Sequence, residues 1–134
     1  MNKSHLALTI TRWLGGDHIV EVPCEFSYDA GDPLAVTVTF TVGQEWSVRW
    51  VIARELLAEG LVTRSGDGDV ALWPVYGDDG EPVTLGMRLG GTNIALFEIP
   101  VEPITQWLAQ TYALVAPGAE FDGVNWDELL QPAE

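Results

Sequence analysis

Apolar residues fall on every second position through most of the first half of this chain, and that period admits one local conformation. Leu6, Leu8, Ile10 and Leu14 share a side, broken only by Arg12; Val20, Val22, Cys24, Phe26 and Tyr28 repeat the pattern. Leu34, Val36, Val38, Phe40 and Val42 then alternate with Ala35 and three threonines, and Trp46, Val48, Trp50 and Ile52 follow. Successive side chains of a strand point to opposite faces, so each run places its apolar set on one face of a pleated sheet. Gly15-Gly16-Asp17, Asp29-Ala30-Gly31-Asp32-Pro33 and Gly43-Gln44-Glu45 stand between the runs as turns. Four antiparallel strands in succession, each buried on one side, are therefore expected.

At Ala53 the pattern changes. Ala53-Arg54-Glu55-Leu56-Leu57-Ala58-Glu59 consists of strong helix formers, and Gly60 follows as a cap tolerant of left-handed geometry. Gly66-Asp67-Gly68 reads as a loop, Val70 to Val75 as a fifth strand, and Gly77 to Glu81 as a hairpin turn. Val83, Leu85, Met87 and Leu89 alternate in a sixth strand, and Ile94 to Val101 form a seventh. Pro103 suits the first turn of a helix, after which Ile104, Trp107, Leu108, Thr111, Tyr112 and Val115 recur at helical spacing as a core or subunit-contact stripe. Pro117-Gly118 ends that helix. The fold class is α+β, antiparallel strands and two helices in the order ββββα-βββα, a loose duplication without an alignable repeat. Residues 1–116 make one domain; residues 117–134 form an acidic tail, docked by Phe121 and Trp126 or closed as a short terminal turn.

Twenty acids oppose six bases for a formal charge of -14, and the bases are scattered as Lys3, Arg12, Arg49, Arg54, Arg64 and Arg88. Nucleic-acid binding needs a clustered basic surface, so this field argues against it and against an anionic membrane surface. No run approaches the roughly 18 apolar residues of a membrane span, so no direct membrane insertion is expected. The start, Met-Asn-Lys-Ser-His-Leu, lacks the apolar block of a signal peptide, which points to a cytoplasmic location.

The residues offer little chemistry. Cys24, the single cysteine, excludes an intramolecular disulfide and sits on a strand's apolar side. His5 and His18 are too few for a histidine metal site, and the acidic loops at 67–69 and 78–81 lack the spacing of a calcium loop. No nucleophile elbow, P-loop or dinucleotide fingerprint is present, so no catalytic residue, cofactor or metal is assigned. Arg54 opens a helix after an apolar strand and is expected to form a structural ion pair, with Asp29 or Asp32 as its partner. Trp13, on the odd face of the first strand, with Phe121 and Trp126, are the candidate partner or oligomer contacts.

Three stretches resemble the signatures of the SsgA-like family, actinomycete sporulation and cell-division proteins. Tyr28-Asp29-Ala30-Gly31-Asp32-Pro33-Leu34-Ala35-Val36 is similar to the first. Trp50-Val51-Ile52-Ala53-Arg54-Glu55-Leu56-Leu57-Ala58-Glu59-Gly60-Leu61 is similar to the second, and Gly68-Asp69-Val70 with Trp73-Pro74 to the third. The resemblance covers residues 28–74 and departs before residue 27 and in the loop at 77–81. It implies a small non-catalytic adaptor for septum-site selection in sporulation, at the cell septum, with the tubulin-like division protein FtsZ or another SsgA-like protein as partner. FtsZ polymers are acidic, as this chain is. The resemblance also implies a homotrimer and a fold similar to the Whirly type, α+β with curled antiparallel sheets, which brings the competing reading of a single-stranded nucleic-acid-binding module. The motif residues have structural readings of their own: Asp32-Pro33 fixes a turn, Gly60 caps a helix, and Trp50 and Trp73 fill core volume.

Overall fold

The computed structural model describes residues 2–43 and 46–122. The four alternating runs form β1 (Lys3–Gly15), β2 (His18–Asp29), β3 (Ala35–Val42) and β4 (Trp46–Ala53), each hydrogen-bonded to the next in antiparallel register. The short helix α1 (Arg54–Gly60) follows, then β5 (Ser65–Asp67), β6 (Val70–Tyr76), β7 (Pro82–Leu89), β8 (Ala95–Pro100) and the longer helix α2 (Val101–Leu114). The expected order lacked β5. Its three residues, too short to display a period of two, pair with β6 around a two-residue loop in which Gly68 takes a φ of +62°. The order is thus ββββα twice over.

The described strands form one antiparallel sheet in the order β4-β3-β2-β1-β8-β7-β6-β5, where separate curled sheets were expected. Each half is a meander, and the two join at a short seam where Thr11, Arg12 and Trp13 of β1 face Glu98, Phe97 and Leu96 of β8. The sheet is strongly curled. Phe40 on β3 and Phe97 on β8 lie three strand spacings apart, about 14 Å in a flat sheet, yet their rings stack at 4.6 Å. The same curl lets α1 and a short connection span from the β4 edge to the β5 edge.

α2 covers the sheet, packing against β1, β7 and β8. Its buried residues, Ile104, Trp107, Leu108 and Thr111, follow the expected stripe, and Trp107 lies 5.9 Å from Phe26. Ile10, Phe26, Val36, Val38, Leu57, Leu72, Leu85, Met87 and Ile99 complete the core. β4 departs from its expected burial: of its inner-face residues Ile52 is buried and Trp50 half-buried, but Val48 and Trp46 are exposed. The sheet runs on past the helix there, and none of the described residues covers the end of the strand. No helix of the described residues is long and apolar enough to cross a membrane.

Candidate functional site

Arg54 is the one charged side chain in the core of the described residues, 2% exposed. Its place follows from β4 ending at the sheet edge: the backbone N–H of Arg54 donates to Leu34 O at 2.8 Å, and α1 then turns the side chain inward. The guanidinium lies between two aromatic rings, 4.8 Å from the centroid of Tyr28 and 5.0 Å from that of Tyr112. Its Nη1 donates to the carbonyls of Thr111 at 3.2 Å and Val115 at 2.7 Å at the end of α2, where Thr111 O also accepts the N–H of Val115 at 3.0 Å. Its Nη2 donates to Glu120 Oε2 at 2.7 Å. The other carboxylate oxygen of Glu120 accepts the backbone N–H of Gly118 at 2.9 Å.

The ion pair expected of Arg54 is therefore present, but not with Asp29 or Asp32. The side chain points across the core to α2, and those two acids serve the turn between β2 and β3. Asp29 Oδ1 accepts the N–H of Gly31 at 2.8 Å, and Asp32 O accepts that of Ala35. Glu120, 66 positions along the chain, was not marked by any local signal. The Arg54 hydrogen bond, reinforced by backbone N–H donors, holds the Glu120 carboxyl below its ordinary value of 4.5. Burial pushes the Tyr28 phenol up, and its hydroxyl donates to Pro33 O at 2.9 Å, closing the same turn from below. Burial, aided by the neighbouring Glu25, pushes the Cys24 thiol up to about 12. A thiol so protonated is not a nucleophile at neutral pH.

The remaining motif residues scatter around this clamp. Leu57 is fully buried in the core, Glu55 is exposed in the first turn of α1, and Asp69 O accepts the N–H of Gly90. Gly60 is no left-handed cap. It lies inside α1, and a Cβ there would meet Leu72 Cβ at 2.5 Å, so its lack of a side chain permits α1 to press on β6. Trp50 is half-buried on the inner face. Trp73 is half-buried too, but on the outer face, where it lies flat over Gly86 of β7 with Arg64 5.3 Å from its ring centroid. Trp73 thus covers the sheet and does not fill the core. Pro74, beside it, faces Leu85 in the β6–β7 register.

Of the candidate contacts, Trp13 is 39% exposed and its indole N–H donates to Glu98 Oε2 at 2.7 Å, while Phe121 is 47% exposed. Phe121 lines, with Leu34, Glu55 and Pro117, a cavity of about 370 Å³ beside Arg54. Trp126 lies outside the described residues. Trp13 and Phe121 both leave apolar surface exposed, and the segment after α2 is anchored by Glu120 through its carboxylate. Among the described residues no group of three His, Cys, Asp or Glu side chains is placed to hold a metal ion.

Fold and site together define an α+β protein built on one curled antiparallel sheet, whose buried polar cluster ties the helix of each half to the other. The family model for the Streptomyces sporulation and cell division protein SsgA matches residues 22–120, and the chain belongs to that family. It is 37% identical to the sporulation-specific cell division protein SsgB of Streptomyces coelicolor over 94% of this chain and 88% of that one. To SsgB of Saccharopolyspora erythraea it is 40% identical over 83% and 77%. A solved structure reported with SsgB mutations that correlate to longitudinal cell division during sporulation of Streptomyces coelicolor superposes with a TM-score of 0.82 at 36% identity. That match covers 90% of this chain and 94% of the other. The crystal structure of an SsgA-like sporulation-specific cell division protein from Thermobifida fusca gives 0.83 at 29% identity, covering 96% and 93%.

Proposed function

We propose that this chain is a non-catalytic adaptor in sporulation-specific cell division, acting in the cytoplasm at the septum and helping to localise or recruit FtsZ. The observation that carries the reading is its likeness to SsgB of Streptomyces coelicolor through 94% of the chain, so that both halves and the clamp region fall within the match. The chemistry of the clamp agrees. Arg54 has its charge matched by Glu120 and its donors directed to the carbonyls at the end of α2, which leaves it a structural role and no reach toward a substrate. Exposed Trp13, Trp46 and Phe121 supply apolar surface for protein contacts, with FtsZ, another SsgA-like protein, or further copies in a homotrimer.

Co-sedimentation with FtsZ polymers, beside a gel shift with single-stranded DNA at low salt, tests this reading. Pelleting of the chain with the polymers and no shift of DNA is the expected pair of results. A DNA shift without pelleting would replace the adaptor by the nucleic-acid module of a Whirly-like fold, a reading the charge of -14 opposes.

A further inference from the structure

Arg12 stands where an apolar side chain belongs. It follows Leu6, Leu8 and Ile10 on the inner side of β1, and Ile10, its neighbour on that face, is buried in the core. Twenty acids are available in the chain, yet among the described residues none forms an ion pair with Arg12, and its Nε is buried without a hydrogen-bond partner. A buried donor on a charged group normally has a partner, so its complement is to be sought outside the described residues.

The surroundings say what kind of complement. Arg12 lines a cavity of about 360 Å³ at the end of the curled sheet that α2 leaves uncovered; no residue of either helix contributes to its wall. The wall is apolar, with Phe40, Phe97 and Trp50 toward the core and Val20, Val42 and Val48 at the mouth. The three valines are 41%, 46% and 45% exposed, and Trp46, next along the inner face of β4, is 74% exposed. Glu21 lies at the cavity's edge without pairing to Arg12.

We propose that this cavity is a docking site for an extended segment of another protein, one that inserts a bulky apolar side chain and presents a carboxylate to Arg12. The wall matches the first and the unpaired guanidinium the second. A second copy seated on this surface across a two-fold axis would bring Arg12 against Arg12 in an apolar setting, so charge disfavours that arrangement, and a head-to-tail copy is an outcome the dilution control below detects. The net charge of -14 repels acidic peptides in general, so a preference for them has to arise locally.

The test uses the isotope-labelled full chain and two N-acetylated, C-amidated pentapeptides, leucine-aspartate-phenylalanine-aspartate-leucine and its counterpart with asparagine for aspartate. The acidic peptide is expected to shift the Trp50 indole N–H resonance and the Val42 and Val48 methyls, and to bind about tenfold more tightly than the asparagine peptide. Arg12→Gln should abolish that difference while leaving the spectrum of the fold in place; Arg12→Lys should restore part of it. Val48→Glu, which sets a carboxylate at the mouth, should weaken the acidic peptide in an otherwise native chain. Equal binding of the two peptides, no binding at about 5 mM, or shifts centred on Arg54 would overturn the proposal. So would movement of the Trp50 and Val48 signals on dilution without peptide, the mark of a second copy on this surface.

Discussion

Arg54 shows how much of this molecule's stability is placed in one side chain. Its guanidinium is taken out of water, set between Tyr28 and Tyr112, and matched by Glu120 and the carbonyls at the end of α2. Removing it leaves those acceptors and a carboxylate beside an emptied space, so Arg54→Ala is expected to cost about 3 to 5 kcal/mol in urea unfolding. A loss under about 1 kcal/mol, the scale of an exposed pair, would contradict the buried clamp. Glu120→Gln keeps the shape and removes the charge. Because the folded carboxyl titrates below its ordinary 4.5, its contribution is present above that value and lost as pH falls through the folded one. The stability gap between the native chain and Glu120→Gln should therefore be constant near neutrality and close progressively below about pH 4.5. A gap that widens on acidification would show that the carboxylate is not the stabilising form.

At the scale of elements, periodicity was readable wherever a strand was long. At mid-strand β1, β2, β3 and β7 bury the residues that the alternation picks out, Ile10, Phe26, Val38 and Met87 among them, and α2 buries the centre of its stripe, because burial on one face forces one side-chain period; Leu14, Val20, Val42 and Val83, nearer the strand ends, are exposed. β5 escaped because three residues carry no period. Alternation assigns Trp46 and Val48 to the inner face, but it names a face and not what covers it, and α2 stops short of that end of the sheet. Glu120 was equally invisible: a buried arginine demands an acid, but among twenty the choice depends on where the chain returns after α2. Gly60 marks another such limit, since its requirement comes from Leu72 across the helix–sheet contact. Gly60→Ala, stabilising in a free helix, should here destabilise by about 1 to 3 kcal/mol through overpacking. An unchanged or raised melting temperature would mean that α1 does not press on β6 as described.

For the whole molecule the governing facts are a net charge of -14 and large apolar side chains left outside the core. Exposed Trp46, Phe121 and Trp13 favour association, and light scattering at micromolar concentration is expected to return a homotrimer of about 44 kDa, three times the chain mass of 14.6 kDa. A mass of one chain would remove the oligomer from the account. The proposed mode of action is contact with FtsZ, and the charge determines how such a contact must behave. Two acidic partners repel at long range, so burial of apolar surface has to drive association against that field, while a desolvated ion pair within the contact is little screened. The most direct test is co-sedimentation with FtsZ polymers as salt is raised toward about 0.3 M. The bound fraction is expected to rise as repulsion is screened; a bound fraction that falls steeply with salt, or is absent throughout, would refute the proposed contact.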